Sequence, residues 1–587
     1  MANIRSPGVY LQKVETRIPA LALAATGQPG FLGMATRGPL HEPVRLNGFE
    51  DFLDVFGQAL EGSYLAESVR GFFDNGGELC YVVRIAHTFR RGRSEAAMAA
   101  SFPVKDREGR DAFTIAARNE GAWGNEIKIE VDVPAPQVQT FITRDLQPGD
   151  TRVQVRSARG IQTGSICKLD DGKLQRYVTI TKVEGKQLHW HKPLDIGFKS
   201  NAPTYVQPIT LEVTASVPGY KETFTNLSFS TTSSRYFERL INHESQLIRI
   251  LTVQSEIPFP ESLPAKVERT QLDGGLDGLR DITPQDFIGF NNGPDQRFGL
   301  GALEAVDDID LIAIPDLFAA AKIGAGRGFR SHRDVLAIQE AMISHCERLQ
   351  TRLALLDIPP DTGYEQAVQW RLNFDSAFGA FYYPWVITSN DGRKAVKVPP
   401  SGHVAGVMAR SDKAYGVHKP PANEPLRDVV DLDVVLHDTH LGMLNKQGIN
   451  CIKYIPGRGI RIWGARTVSS DPQWRFVNVR RIFNTLRSAL IEGTQWLVFE
   501  PNDRELWKKV EQVVRSFLGQ LYTKGFFQGS TPDEAYYVRC DASTNTVENI
   551  DAGMLVCEIG IAPVRPAEFI TFYIEQEMED RAAEEGS

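Results

Sequence analysis

Apolar side chains in the last third of the chain recur every three or four positions, which is the spacing of one face of a helix. The first such face ends at Gly493 and comprises Phe476, Val479, Phe483, Leu486 and Leu490. The second ends at Gly525 and comprises Leu506, Val510, Val513, Phe517 and Leu521. Between them, Trp496–Phe499 predicts a strand, and Asn502 with Glu505 predicts a capping box at the start of the second helix.

The remainder of the chain alternates between short apolar runs and amphipathic stretches. Near the start, strands are predicted at Phe31–Met34 and Cys80–Ile85, with helices at Phe49–Phe56 and Tyr64–Phe73 between them. Further along, Asp310–Pro315 and Arg352–Ile358 have the composition of buried strands, and Asp334–Leu349 predicts a helix capped by Ser331. A strand, a helix and a strand in this order predict a parallel pair with a right-handed crossover.

Residues 101–250 have a different pattern, because apolar and polar positions alternate with a period of two. Glu126–Val133 and Tyr177–Val183 are examples, and the turns between such runs carry Gly, Asp and Lys. Residues 136–207 predict a small all-β module inserted into the α/β chain. The fold class expected for the whole chain is therefore a mixed α/β, multidomain protein.

Both ends of the chain have the composition of strands that lack a partner in their own domain. The N-terminal candidates are Val9, Tyr10, Leu11 and Val14, and the C-terminal candidates are Phe569, Ile570, Phe572, Tyr573 and Ile574. An unpaired strand has backbone donors and acceptors to satisfy, and the edge of a neighbour's sheet satisfies them. We therefore expect both ends to act as arms that link copies of the chain.

Size and charge limit the functional classes. The chain has 587 residues, which predicts two to four domains, and its formal net charge of −8 argues against a nucleic-acid partner. Its six cysteines show no CxxC spacing, which is typical of a protein that folds in a reducing cytoplasm. No apolar run reaches the roughly 18–20 residues that span a bilayer, so membrane insertion is not expected.

Ser401–Gly406 is the segment most similar to an enzyme motif, because subtilisin-type proteases carry a similar His-Val-Ala-Gly stretch. A serine protease also needs a nucleophile, a base and an orienting carboxylate, and the expected nucleophile and histidine segments are missing. The turns at Pro456–Gly459 and Asp273–Gly278 lack phosphate-loop and calcium-loop spacing, and the histidines show no HExxH pattern. We predict no catalytic, cofactor-binding or metal-binding residue.

Several sequence segments resemble segments of the contractile tail sheath proteins of myophage tails and related injection machines. They are Ser6–Tyr10, Ser63–Arg84, Leu272–Gly278, Gly299–Asp316, Pro399–Arg410, Ile449–Trp474, Gly493–Asp503, Tyr536–Asp541 and Val556–Ala567. The resemblance covers most of the chain except the β module. It implies a subtilisin-like α/β middle domain, an α+β C-terminal domain and extended arms at both ends.

The resemblance also implies a domain order. The expected parts are an arm (1–20), an N-terminal αβ part (21–100), a β-rich region with the inserted module (101–250), the subtilisin-like domain (251–440), the C-terminal domain (441–565), and a C-terminal arm with an acidic tail (566–587). The family forms a helical cylinder of stacked, hexameric rings around an inner tube, and contraction drives the tube through a target envelope.

The expected partners are other copies of the chain, the inner tube protein, and baseplate and terminator proteins. The family layout suggests Arg480, Arg481 and Arg487 as the residues that face the tube. Assembly is expected in the bacterial host cytoplasm, before the chain becomes part of a virion tail or of an extracellular or cytoplasmic contractile particle. A hydrolase with a degenerate subtilisin-like domain, or another structural component of the same machine, remains the alternative.

Overall fold

The computed structural model describes residues 21–89, 95–135, 138–201, 203–251, 259, 262–294, 296–323, 331–389 and 395–568. The predicted arm residues, Val9 to Val14 and Phe569 to Ile574, therefore lie outside the described residues. Among the residues described, no helix is both long enough and apolar enough to cross a bilayer.

The elements alternate along the chain much as the hydrophobic pattern predicts. The strands are β1 (Pro29–Gly33), β2 (Pro43–Leu46), β3 (Cys80–Arg84), β4 (Ser101–Lys105), β5 (Asp111–Ala117), β6 (Lys128–Asp132), β7 (Thr140–Phe141), β8 (Arg152–Gln154), β9 (Ile166–Asp170), β10 (Gln175–Glu184), β11 (Gln187–Trp190), β12 (Tyr205–Pro208), β13 (Leu211–Val217), β14 (Tyr220–Leu227), β15 (Ile248–Leu251), β16 (Val267–Gln271), β17 (Phe290–Asn291), β18 (Arg297–Phe298), β19 (Leu311–Ala313), β20 (Leu353–Asp357), β21 (Gly379–Tyr383), β22 (Val386–Thr388), β23 (Val396–Val398), β24 (Val429–Leu432), β25 (Ile449–Ile455), β26 (Gly459–Trp463), β27 (Tyr536–Arg539) and β28 (Glu558–Ile561). The helices are α1 (Phe49–Phe56), α2 (Leu65–Asp74), α3 (Phe237–Glu244), α4 (Pro284–Ile288), α5 (Leu317–Ile323), α6 (His332–Leu349), α7 (Tyr364–Arg371), α8 (Ser401–Tyr415), α9 (Asp438–Lys446), α10 (Val477–Gly493), α11 (Arg504–Thr523), α12 (Pro532–Ala535) and α13 (Val547–Asp551).

An eight-stranded sheet in the order β2-β3-β1-β19-β20-β21-β25-β26 forms the centre of the molecule. The six strands from β3 to β25 are parallel, and β2 and β26 close the two edges in antiparallel pairing. Strands β19 and β20 flank α6 in the chain and pair in parallel, as the strand–helix–strand pattern predicts. The sheet combines strands from three of the expected domains, so the boundaries predicted near 100 and 441 do not separate independent cores.

Helices cover both faces of this sheet, and each face has its own buried cluster. One cluster includes side chains of α6 and α9, and the other includes side chains of α1, α2 and α8. Ser331 caps α6, because its hydroxyl accepts a hydrogen bond from the Arg333 amide at 3.2 Å. A parallel sheet needs apolar residues on both of its faces, which explains the continuous apolar runs of its strands.

Between β3 and β19 the chain forms β-rich layers. The sheets β14-β13-β6-β16 and β15-β5-β4 share one buried cluster. Strands β7 to β12 form a separate six-stranded sheet in the order β7-β12-β9-β10-β11-β8, with a buried cluster of its own. This sheet spans Thr140–Pro208, the region in which the alternating pattern predicts an all-β module.

The last part of the chain packs α10, α11 and the β27–β28 pair around a fifth buried cluster. Trp496–Phe499 was predicted as a strand, and this prediction is wrong: Gln495–Leu497 is a short 3-10 helix, and Val498 and Phe499 are exposed. The cap of α11 is Asp503 rather than Asn502, because the Asp503 carboxylate accepts from the amides of Glu505 and Leu506. The Asn502 side chain instead accepts a hydrogen bond from the Trp507 indole at 2.7 Å.

Candidate assembly site at the roots of the terminal segments

Two short segments connect the described chain to its ends. We call residues 21–28 the N-terminal root and residues 563–568 the C-terminal root. Both are held by the first turns of α10, where Asn478 and Arg481 are buried. The apolar face of α10 faces the last domain, while these polar residues reach toward the central sheet and the roots.

Arg481 connects four segments of the chain through its guanidinium group. Its Nη1 donates to Asp412 Oδ1 of α8 at 2.9 Å, and its Nη2 donates to Asp310 Oδ2, just before β19, at 2.7 Å. Asp310 in turn accepts the backbone amides of Gly27 at 3.1 Å and Gln28 at 2.7 Å. The N-terminal root is thus bound to α10 through one carboxylate.

This ion cluster is buried, so its charges depend on each other. Burial opposes the charge on Arg481, but Asp412 and Asp310 outweigh that effect and raise its pKa. Burial raises the pKa of Asp412, although the neighbouring guanidinium acts in the opposite direction. We infer that the cluster exists as a charged arginine between carboxylates, because removing any one charge leaves another without compensation.

The N-terminal root also fits the surface beneath it closely. Leu21 is buried, and its Cδ2 lies 2.2 Å from the position that a Cβ on Gly493 of α10 would occupy. Gly27 has φ +72°, and a Cβ there would lie 2.6 Å from Ala409 Cα of α8. A side chain at Gly27 would clash with backbone and strain a positive φ, so the contact needs glycine there, whereas one at Gly493 would require the Leu21 side chain to shift.

The C-terminal root is held by polar contacts from three places. Asn478 Nδ2 donates to the carbonyls of His418 at 2.9 Å and Val564 at 3.0 Å. The Val564 amide donates to the Phe526 carbonyl at 3.1 Å. Arg466 Nε donates to Glu568 Oε1 at 2.9 Å, at the last residue described. Because Asn478 and Arg481 lie one turn apart on α10, a force on either end of the chain reaches the same helix.

Arg480 is also buried, and aromatic rings surround it. The carbon at the centre of its guanidinium lies 4.3 Å from the ring centre of Phe378 and 4.4 Å from that of Trp474, which is cation–π geometry. Its Nε donates to Asn484 Oδ1 at 2.9 Å, and burial lowers its pKa to about 10. The group therefore remains charged at neutral pH.

The prediction that Arg480 and Arg481 face an inner tube is wrong for the chain as described. Their side chains point into the protein, where aromatic rings and carboxylates compensate for the loss of water. Arg487 is exposed on α10, so it alone of the three predicted arginines presents its charge to solvent. Whether it contacts a tube stays a prediction.

The carboxyl ends of β19 and β20 carry two buried acids, a place where α/β enzymes commonly bind substrates. Burial raises the pKa of Asp316 to about 6 and the pKa of Asp357 to about 7. Each has a structural role. Asp316 accepts the Met34 amide at 2.6 Å and the Ser63 hydroxyl at 2.8 Å, and Asp357 accepts the Ser401 hydroxyl at 2.7 Å.

Ser401 and His403, the residues of the protease-like segment, lie within α8 and are buried. The His403 ring packs on α2, where a Cβ on Gly71 would lie 2.4 Å from its Cε1. Burial lowers the pKa of His403 to about 4, and its Nδ1 has no hydrogen-bond partner among the described residues. The Ser401 hydroxyl donates to a carboxylate rather than to a histidine, so this arrangement is not a protease triad.

Asp310, Asp412 and Asn478 hold the two roots, and the sequence pattern gave no reason to select them. Asp310 stands at the start of a predicted strand, and Asp412 follows the protease-like segment on α8. The only signal was a polar or charged residue beside a buried element. The partners that their side chains bind lie 60 to 283 positions away in the chain, a separation that local patterns do not report.

Family models match the chain over two consecutive regions. The phage tail sheath protein central domain matches residues 326–468, and the phage tail sheath C-terminal domain matches residues 469–577. The boundary between them falls after β26, the last strand of the central sheet, and before α10. The sequence division thus coincides with the structural one.

Individual proteins agree with these matches. The chain is 28% identical over 254 residues to a prophage major tail sheath protein of Pseudomonas aeruginosa strain UCBPP-PA14, an alignment that covers 42% of this chain and 62% of that protein. It is 20% identical to the tail sheath protein of Vibrio phage KVP40 over 97% of both chains. The helical sheath of the anti-feeding prophage in its contracted state superposes with a TM-score of 0.51 at 19% identity, over 98% of this chain and 100% of that one, which shows a shared fold.

Proposed function

The chain belongs to the phage tail sheath family, and from this premise we propose that it is the structural subunit of a contractile sheath. In this function, copies polymerise into a helical cylinder around an inner tube, and contraction drives the tube through a target envelope. The observation that carries the proposal is the pair of adjoining family-model matches over residues 326–577. The buried positions of Ser401 and His403 support a structural role over a hydrolase.

The terminal segments are the proposed links between copies. Arm residues Val9 to Val14 and Phe569 to Ile574 alternate as strands do, and they would add to sheet edges of neighbouring subunits by main-chain hydrogen bonds. The roots support this proposal, because buried contacts fix both of them to α10. An arm that carries force needs such an anchor, since an unanchored segment would only fray.

Contraction would exchange one packing of rigid subunits for another. The eight-stranded sheet and its two covered faces provide a subunit stiff enough to move as a body. An additional buried area of roughly 200 Å² per subunit would release about 5 kcal/mol at ~25 cal/mol per Å². Repeated along a cylinder, that energy can perform mechanical work while the arms keep the lattice connected.

Further details of the proposal follow the family layout. The middle domain would be subtilisin-like, the six-stranded sheet of β7 to β12 would be an inserted decoration, and the rings would be hexameric. The partners would be an inner tube protein, contacted by Arg487, with baseplate and terminator proteins at the two ends. Assembly would take place in the bacterial cytoplasm and would yield a tail or a free contractile particle.

Truncation tests the proposal directly. The full chain is expressed with three variants that lack residues 1–20, 569–587 or 577–587, and each is imaged by negative-stain electron microscopy. We expect tubes from the full chain and from the variant lacking only the acidic tail, 577–587. The other two variants should remain folded but unassembled. Tubes from both arm-deleted variants would contradict the proposed linkage, and the absence of tubes from the full chain would contradict the sheath function.

A further inference from the structure

Two cysteines of the last domain face each other across the β27–β28 pair. Strand β27 ends at Arg539, which pairs with Glu558 at the start of β28. The next residue pair in this antiparallel register is Cys540 and Cys557. The two thiols are close enough for each to affect the pKa of the other, and both are free cysteines.

The position in the ladder favours a cross-strand bond. The Ala562 amide donates to the Ala535 carbonyl at 2.8 Å, which marks that pair as hydrogen-bonded. Hydrogen-bonded and non-hydrogen-bonded pairs alternate along an antiparallel ladder, so Cys540 and Cys557 form a non-hydrogen-bonded pair. Such pairs have the closest side chains, with Cα atoms about 4.5 Å apart, within the range that a disulfide requires.

The surroundings keep the two thiols aligned. The Asn545 side chain continues the ladder past its last strand pair, because its Oδ1 accepts the Val556 amide at 2.7 Å and its Nδ2 donates to the Val556 carbonyl at 3.0 Å. Cys540 is buried, and Cys557 is only half-buried, so an oxidant reaches Cys557 first. The described residues hold no group of three metal-ligating side chains, which leaves the pair without the partners of a zinc site.

We propose that Cys540 and Cys557 are a redox-sensitive pair that closes into an intrachain disulfide when the protein meets a small-molecule disulfide. The Cys557 thiolate attacks the oxidant, forms a mixed disulfide and releases one small thiol. The Cys540 thiolate then attacks the Cys557 sulfur and releases the second. One small disulfide is reduced to two thiols, two protein thiols are oxidised to one disulfide, and the two protein protons pass to the released thiolates.

The consequence concerns the C-terminal root, which follows β28 directly. The β27–β28 ladder has only two strands, so a covalent bond at its end adds a restraint on the segment that leads into the root. The bond would close the loop formed by residues 541–556. Because burial raises the pKa of Cys557 to about 12, the reaction should be slow at neutral pH and should accelerate as the pH rises toward 10.

The test uses the purified full chain in oxidised glutathione, with the product digested under non-reducing conditions and read by mass spectrometry. We expect one cross-linked peptide pair that contains Cys540 and Cys557, two hydrogen atoms lighter than the free peptides. We also expect amide exchange in Tyr536–Arg539 and Glu558–Ile561 to slow at least about threefold on oxidation. Assembly is not required, so the result does not depend on the proposed sheath function.

Variants make the result specific. Cys540→Ser should leave Cys557 as a lasting glutathione adduct, because no second thiol can displace it. The matched control combines Cys557→Ser with Glu558→Cys, which moves the thiol by one position and thus to the opposite face of the strand. It should give adducts and no intrachain bond. Any of three outcomes in the unmodified chain would overturn the proposal: a lasting glutathione adduct on Cys557, a disulfide between two copies of the chain, or two thiols that stay free after prolonged incubation with oxidised glutathione.

Discussion

Arg481 carries one positive charge between two carboxylates; its own side chain and that of Asp412 are buried, and that of Asp310 is partly exposed. Asp310 and Asp412 belong to different segments, and each uses the guanidinium to compensate for its own burial. Replacing the arginine by an apolar residue of similar length would therefore leave one buried and one partly buried negative charge without compensation. Such a loss is far more costly than the loss of an exposed ion pair.

We expect Arg481→Met to lower the free energy of unfolding by about 3–5 kcal/mol at pH 7. The loss should be smaller near pH 4, where protonation can neutralise a carboxylate that the substitution leaves without its positive partner. Scanning calorimetry at the two pH values measures the effect. Arg487→Met is the matched control on the same helix, and its exposed side chain predicts a change within about 0.5 kcal/mol. Equal effects of the two substitutions would show that the ion cluster contributes no stability.

Asp357 gives a prediction with a defined sign. Its folded pKa of about 7 lies above the value of an unfolded aspartate, so the folded state binds the proton more tightly. The contribution of the protonated carboxyl to stability is complete below about pH 4 and is lost as the pH rises through 7. Asp357→Asn imitates the protonated form and removes this dependence.

The stability of Asp357→Asn relative to the unmodified chain should therefore rise between pH 4 and pH 7 and level off above pH 8. A total change on the order of 3–4 kcal/mol corresponds to the pKa difference. Thermal unfolding across this pH series is the measurement, and Asp551→Asn, at an exposed helix end, is the control that should show no such trend. A constant difference between pH 4 and pH 8 would contradict the assignment.

At the scale of elements, the contact between α2 and α8 depends on glycines that leave room for the opposing backbone. A Cβ on Gly406 would lie 2.3 Å from the Phe72 carbonyl oxygen. We expect Gly406→Ala to destabilise the chain by about 1–3 kcal/mol, since rigid backbone stands in the way. Gly442→Ala in α9, where nothing lies within 4 Å, should instead stabilise by up to about 1 kcal/mol through helix propensity. Thermal shifts of the same sign would contradict the close packing.

Local patterns predicted most of these elements, and the exceptions have a common cause. The bounds of α1 agree with the prediction, and α10 was predicted from five apolar positions. The exposed residues Val498 and Phe499 have the composition of a strand but lie outside the strands described, so composition alone gave the wrong prediction of a strand there. Arg480 and Arg481 were expected on a surface because charge usually signals solvent, whereas partners distant in the chain hold them inside.

At the scale of the whole molecule, the sequence does not reveal which segments share a sheet. Strands from residues 29–84, 311–383 and 449–463 lie side by side in the central sheet, although the sequence suggested three separate parts. The local sequence does not show which strands pair in parallel, because the chain that connects two such strands contains other complete sheets and helices. The β module is different, since its alternating pattern and its own buried cluster are both local.

The same locality makes the β module removable. Asp132 of β6 pairs with Glu212 of β13, so Val133 and Leu211 come next to each other where the module leaves the layer beneath it. Replacing residues 134–210 by Asn-Gly would join these strands by a two-residue hairpin turn without shifting their register. The deletion removes Ile166 and Ile209 from the neighbouring cluster, which should cost about 3 kcal/mol.

We expect this deletion variant to fold with its central sheet intact and to form tubes as readily as the full chain, because neither root nor α10 belongs to the module. Limited proteolysis and circular dichroism report the fold, and electron microscopy reports assembly. A one-residue turn in place of Asn-Gly is the control, since it strains the hairpin and should lower the thermal midpoint further. A folded deletion variant that no longer assembles would mean that the module, and not only the arms, connects the subunits.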